Sequence, residues 1–410
     1  MQQSYTPSDK ILEKYAELIV QFGLRDKNDE KPKPGSVVHY LVPEVAKPLY
    51  FHLQKAILKN GYHPLGQFFP SSDSQYKFQK DFYKIASEDQ LTFSPEKLNK
   101  ALIDQIDCTI LVLAQTDHHE LNQINTQKIF THNKARSGSI SYKRKKIDAG
   151  KLNWTIVLYG TDAGAKEANL TGRQYWNQII KACYLDEKDP IKIWQKIDST
   201  VQKTANKLTK MEIEALHMSG EDVDLTVGIG HNRFWRAGGG NNIPSYEVFT
   251  SPNWRETKGW IRFNQPFYSN GKKIEGIQLW FENGKVIKSK ASKNYDVLKS
   301  MLAIEGGNRL GEFSLTDSRL SRITKFMAET LYDENMGGKY GNSHVAIGAS
   351  FRDCYLGEID PKWKNSDWDK LGFNNSIVHS DFVTTTNRTV TATLKNGKNK
   401  VIYQNGQFTI

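Results

Sequence analysis

Apolar residues recur at steps of three and four near the start of the chain: Ile11, Leu12, Tyr15, Ala16, Leu18, Ile19 and Phe22, followed by Gly23. That spacing places one apolar face on a helix, and the glycine is a natural stop. Val37 to Val42 is instead a short unbroken apolar run, followed by Pro43, a helix-like stretch from Glu44 to Lys59, and Gly61 as its cap. Cys108 to Ala114 and Trp154 to Tyr159 have buried-strand length, whereas Tyr175 to Tyr184 and Ile191 to Leu208 read as helices. Alternating strands and helices predict an α/β domain with an open, mostly parallel sheet. No strand runs into a glycine-rich phosphate turn, so no nucleotide cofactor is expected.

The texture changes after about Ser219. Val223 to Val227 alternates polar and apolar residues, and Gly276 to Ser289 does so around Asn283-Gly284, a hairpin signature. Asn270-Gly271, Asn396-Gly397 and Asn405-Gly406 mark three more turns. One helix is predicted within this part, because Leu320, Ile323, Met327 and Leu331 form an apolar stripe behind Thr316 or Asp317 as N-cap. Its end delivers Asp333, Glu334 and Asn335 ahead of Gly337 and Gly338. The expected division is residues 1–215 as the α/β domain and 216–410 as an α+β, β-rich domain.

Composition narrows the class. The 410 residues are too many for one ordinary core, and 38% are hydrophobic, enough for a folded protein. No apolar window approaches the roughly 18 residues that span a bilayer, so no membrane association is expected. Met1 to Lys10 lacks the basic start and apolar middle of a secretory signal, and three widely spaced cysteines form no disulfide framework. A cytoplasmic setting is the expectation. The net charge of +11 owes part of its excess to Lys134, Arg136, Lys143, Arg144, Lys145, Lys146 and Lys151. This run reads as a solvated basic loop near 134–151, and a nucleic-acid contact is disfavoured because no recognised motif accompanies it.

The chemistry concentrates in six side chains: Glu247, Glu312, Glu334, His344, His379 and Asp381. His379 and Asp381 are two apart, so on a strand they share a face. His344 lies in a short apolar run, Glu312 follows Gly311, and Glu247 sits in the β-like Ser245 to Thr250 stretch, where an inward carboxylate needs a cation or donors. Singly, each fits an ordinary buried or hydrogen-bonded role. Together, four carboxylates and two imidazoles suit zinc, cobalt or manganese better than calcium. Four acids also exceed what one zinc takes and match two cations sharing a bridging carboxylate.

The flanking residues add a likeness. Leu225-Thr226-Val227-Gly228, Tyr246-Glu247-Val248-Phe249-Thr250-Ser251-Pro252, Arg309-Leu310-Gly311-Glu312, Asp333-Glu334-Asn335, His344-Val345-Ala346-Ile347-Gly348 and His379-Ser380-Asp381 carry it. In these segments the chain resembles the thermophilic aminopeptidase family, the aminopeptidase T and aminopeptidase S metallopeptidases. The resemblance implies a dinuclear metal centre with the six residues as ligands and Glu312 as bridge. It also implies peptide substrates cleaved at the amino terminus, and a homodimer. The chain departs from that family's pattern in two places. Met336 to Asn342 reads as an insertion between ligands, and Phe351 stands where the family has tyrosine, leaving Tyr340 or Tyr355 to supply a hydroxyl. Glu305 is a candidate proton carrier, and Trp235, Phe249, Trp254 and Trp260 are candidates for an apolar pocket. The alternative expectation is an altered member: a hydrolase of another amide or dipeptide, or an inactive scaffold or nucleic-acid-binding protein.

Overall fold

The structure, a computed structural model, describes residues 3–26, 29–73, 75–360 and 362–410; Met1 and Gln2 of the polar amino-terminal stretch lie outside the described residues. The chain forms two compact units. One comprises Met1–Gln195, Gly239–Ser245 and Asn270–Lys272, the other Lys196–Gly238, Tyr246–Ser269 and Lys273–Ile410.

The first unit is built on a parallel sheet whose strand order is His63–Phe69, Val37–Pro43, Cys108–Leu113, Asn153–Leu158, Asn242–Ile243. Val38, Tyr40 and Val42 are fully buried, as are Ile110 and Val157, which fits central parallel strands covered on both faces. The Lys47–Lys59 helix ends as its sequence predicts. Gly61 has φ +77°, its N–H donates to Leu58, and the Tyr62 N–H donates to Ile57, the Schellman pattern that satisfies the last carbonyls. At the other end of a helix, Thr171 and Gln174 form a reciprocal capping box for Gly172–Ala182.

The basic segment is helical rather than a loop, as Thr126–Ala135 followed by Ser137–Asp148. Part of its charge is committed to the fold. The Lys146 Nζ donates to the carbonyls of Ile103, Asp104 and Ile106, closing the end of the Glu96–Gln105 helix, and Arg144 pairs with Asp148. No helix among the described residues is long and apolar enough to cross a membrane.

The second unit holds an antiparallel eight-stranded sheet and a separate five-stranded one. In the larger sheet, Gln278–Glu282 and Lys285–Lys290 are joined at Asn283-Gly284, and Asn399–Gln404 and Gln407–Phe408 at Asn405-Gly406. Both residues of each turn have positive φ, the conformation that matches the twist of a tight hairpin. The five-stranded sheet is ordered His379–Thr384, Asn342–Gly348, Leu310–Thr316, Glu247–Thr250, Arg236–Ala237, every pair antiparallel.

The predicted helix behind Asp317 does not form. Residues 318–329 are irregular and only Thr330–Asp333 is helical. The N–H groups that a helix would have used find other partners: the carboxylate of Asp333 accepts from Met327 and Glu329, and Ala328 adopts φ +54°. Ile323, Met327 and Leu331 are nevertheless buried. Their spacing reported burial, and the tertiary structure took the backbone elsewhere.

Candidate metal centre

The smaller sheet of the second unit brings five of the six candidate side chains to one face. Residues directly opposite each other across paired strands share a face, and so do residues two apart along a strand. Thr316 faces Glu247 and Asn342, Ser314 faces Phe249 and His344, and Glu312 faces Ala346, which in turn faces Asp381. Gly348 faces His379. Glu247, Glu312, His344, His379 and Asp381 therefore project from the same side. Between them stand Ser314, Ala346 and Gly348, residues of little or no side-chain bulk.

Glu312 owes its aim to Gly311. The pairing skips one residue between Leu310 and Glu312, a bulge that re-aims the next side chain. A Cβ on Gly311 would come within 2.3 Å of the Ala349 carbonyl oxygen and 2.6 Å of that of Gly348. Gly311→Ala is expected to destabilise the protein by about 1–3 kcal/mol through this overpacking. A urea-denaturation midpoint equal to that of the wild type would show that the strand accommodates the methyl.

Glu334 arrives from outside the sheet, at the end of the Thr330–Asp333 helix. Its neighbour Asn335 is fully buried and fixes this corner: the Oδ1 accepts from the Tyr246 N–H at 2.6 Å, and the Nδ2 donates to the Leu331 carbonyl and to Glu334 Oε1. Asp333 is turned to Met327 and Glu329. Ser314 adds a donor to Glu247 Oε2 at 3.1 Å. Sequence reasoning gave neither Ser314 nor Asn335 a role. Ser314 was discoverable as the residue two beyond Glu312 on a strand; Asn335 carried no signal beyond adjacency to Glu334.

The donor atoms converge. Three sets, each within 4.8 Å, are Glu247 with Glu312 and His344, Glu312 with His379 and Asp381, and Glu334 with His344 and Asp381. His344 Nε2 lies 3.5 Å from Glu247 Oε2, 3.6 Å from Glu312 Oε1 and 4.0 Å from Asp381 Oδ1. His379 Nε2 lies 3.0 Å from Glu312 Oε2 and 3.3 Å from Asp381 Oδ1. Its Nδ1 is 2.8 Å from the Ala349 carbonyl, which can only accept, so Nδ1 carries a proton. In a neutral ring the Nε2 lone pair then faces two carboxylate oxygens, an arrangement that only a proton or a cation relieves.

The electrostatics express the same demand. Burial, reinforced by Glu312, pushes the Glu247 carboxyl up to about 7. Burial followed by the charges of Glu247, Asp381 and Glu312 lifts Glu334 well above the usual carboxylate range. Burial opposes ionisation of Glu312 too, but hydrogen bonds from His344 and His379 outweigh it and hold this group low. Asp381 is likewise held low by His379 against the effect of burial. Conversely, burial would lower both histidines, yet the surrounding carboxylates raise His344 to about 9 and His379 well above its ordinary value. Protons on imidazoles thus stand in for positive charge that the four acids require. This donor set, with little bulk between the ligands and more oxygen than nitrogen, fits hard or borderline divalent ions.

Tyr355 packs among Trp363, Trp368 and Phe373, and Tyr340 sits beside the Lys339 ammonium. Glu305 is exposed in the turn before the Leu310–Thr316 strand. Phe351 meets a candidate ligand, its ring standing edge-on to His379 with centroids 4.8 Å apart.

Comparison with known proteins agrees with this geometry. Residues 8–408 match the thermophilic metalloprotease (M29) family. The chain is 26% identical to aminopeptidase PepS of Streptococcus thermophilus, over 97% of this chain and 98% of that one. It is 27% identical to aminopeptidase T of Thermus thermophilus, over 91% of each. Among solved structures, wild-type AmpT from Thermus thermophilus aligns with a TM-score of 0.80 over 98% of this chain and 99% of that one, at 24% identity, a likeness of fold. Since the family match runs through almost the whole chain and includes every converging donor, the chain belongs to the thermophilic metalloprotease (M29) family and is a metal-dependent hydrolase of peptide bonds.

Proposed function

We propose that the protein is an aminopeptidase that releases amino-terminal residues from peptides at a centre of two divalent ions, zinc, cobalt or manganese. Glu247, Glu312, Glu334, His344, His379 and Asp381 hold the pair, within a catalytic domain assigned to residues 216–410. The observation that carries this reading is the convergence of four carboxylates and two imidazoles, most of them deeply buried. Charge supports two. With both imidazoles neutral, four ionised carboxylates carry four negative charges, and burying that much uncompensated charge is prohibitive. Two divalent cations cancel it; one leaves half of it behind.

Glu312 would be the ligand common to both ions, because its two oxygens face different histidines. When bound, the ions supply Lewis-acid activation of water and of the scissile carbonyl. The chain does the positioning. Ala349 holds His379 with Nε2 directed inward, Ser314 steadies Glu247, and Asn335 steadies Glu334. Glu247, Glu312, Glu334 and His344 are buried, whereas His379 and Asp381 keep partial exposure, so substrate reaches the centre from their side. The likeness to the family further supports a homodimer, and the reduced thiols of Cys108, Cys183 and Cys354 fit a reducing cytoplasm.

The test pairs stoichiometry with specificity. Elemental analysis of the purified protein is expected to give about two divalent ions per chain. The loaded protein is expected to hydrolyse leucyl-4-nitroanilide and spare its N-acetylated form. Equal cleavage of the blocked substrate, or full activity in metal-free protein, would overturn the proposal.

A further inference from the structure

The face that carries the donors also carries an aromatic wall. Phe249 lies opposite Ser314, which lies opposite His344, so its ring projects on the donor side of the sheet, two residues along from Glu247. Phe351 closes on it edge-to-face, with centroids 5.6 Å apart, and reaches the His379 ring at 4.8 Å. The two phenylalanines and the imidazole therefore form one continuous surface that ends at a candidate ligand. Both phenylalanines remain partly exposed, although both pack against a buried cluster of Cys354, Trp368 and Phe373. The backbone is pinned as well, because the Phe351 N–H donates to Ser251 Oγ at 2.8 Å.

The other aromatic candidates are occupied. Trp235 is buried edge-on to Phe313, a residue of the opposite sheet face. Trp254 lies beneath the Arg309 guanidinium at 4.0 Å, and Trp260 belongs to the eight-stranded sheet. Of the four, Phe249 alone shares a face with the donors.

We propose that Phe249 and Phe351 receive the side chain of the substrate's amino-terminal residue, which makes peptides beginning with a bulky apolar residue the preferred class. The inference rests on the aminopeptidase reading and deepens it. Two phenyl faces offer apolar area and no hydrogen-bond donor or acceptor, so they favour a leucine or phenylalanine side chain over glycine, alanine or a charged one. Apolar contact at these two rings is therefore what distinguishes one amino-terminal side chain from another.

The experiment compares kcat/KM for leucyl- and alanyl-4-nitroanilide in the metal-loaded wild type, Phe249→Ala, Phe351→Ala and the conservative Phe351→Leu. Metal content and far-ultraviolet circular dichroism are recorded for each. The wild type is expected to favour the leucyl substrate by about tenfold or more, the range an apolar pocket gives for missing methylenes. Each alanine variant is expected to lose about tenfold of that ratio, with its metal content retained, and Phe351→Leu to keep most of it. A ratio unchanged in both alanine variants, or an equal fall on both substrates, overturns the wall while leaving the aminopeptidase reading intact. A loaded wild type that hydrolyses neither substrate overturns the aminopeptidase reading, and the wall with it.

Discussion

Glu312→Ala will yield a folded protein that has lost its bound ions and hydrolyses leucyl-4-nitroanilide about a thousandfold more slowly than the wild type, or slower still. That rate corresponds to about 4 kcal/mol of lost transition-state stabilisation. The effect is large because Glu312 belongs to two of the three converging donor sets, one with His344 and Glu247, the other with His379 and Asp381. Glu312 joins those two sets through separate oxygens, Oε1 at 3.6 Å from His344 Nε2 and Oε2 at 3.0 Å from His379 Nε2. The fold is expected to survive, since the truncated side chain lies opposite Ala346 in a sheet whose reverse face keeps Phe313, Val345 and Phe382 buried. Elemental analysis, circular dichroism and initial rates check the three parts. A variant that keeps both ions and stays within tenfold of the wild-type rate would remove Glu312 from the centre.

Stripping the ions should reverse how stability depends on pH. Without cations, Glu247 has its folded-state value raised from 4.5 to about 7. A raised group contributes stability that is full below its unfolded value and is lost as pH climbs through the folded one. For Glu247 alone the loss between pH 4.5 and 7 is on the order of 3 kcal/mol. Glu334 is displaced in the same direction, and His344, raised from 6.5 to about 9, extends the decline into the alkaline range. Glu312 and Asp381 are held low and act oppositely, but their contributions change only in the acid range, below the ordinary carboxylate value. Chelated protein is therefore expected to weaken steadily from about pH 5 to pH 9. Loaded protein should strengthen from pH 5 toward neutrality, because ions and protons compete for the same atoms. Urea unfolding at several pH values, with and without EDTA, measures both. Parallel curves would mean that the six side chains hold no ion.

Much of this was legible in the residues. Period-two spacing put His379 and Asp381 on one face, continuous apolar runs marked the central parallel strands, and Asn-Gly pairs marked the hairpins, because each of these signals is local. What escaped was set by particular side-chain partners and by parts of the chain that meet only after folding. Leu320, Ile323, Met327 and Leu331 have helical spacing, yet the side chain of Asp333 claims two N–H groups of that stretch. The Ser137–Asp148 helix begins Ser-Gly-Ser and lacks an apolar stripe, so nothing local announced it, and its lysine at 146 works on another helix's carbonyls. Of the site, the six donors were found through residue type and flanking motif. The supports at Ser314, Asn335 and Ala349, and the placement of Phe351 against His379, depend on strand register and on loops that meet only after folding.

The antiparallel sheet that holds five of the donors gives the ions a second consequence. Shifting any one strand by a single residue turns all its side chains to the other face. The mis-set strand would aim Phe313, Val345 or Phe382 at the cation and turn its own donor to the apolar side. An ion that binds only when the strands agree therefore discriminates among pairings and acts as a proofreader of the sheet's alignment.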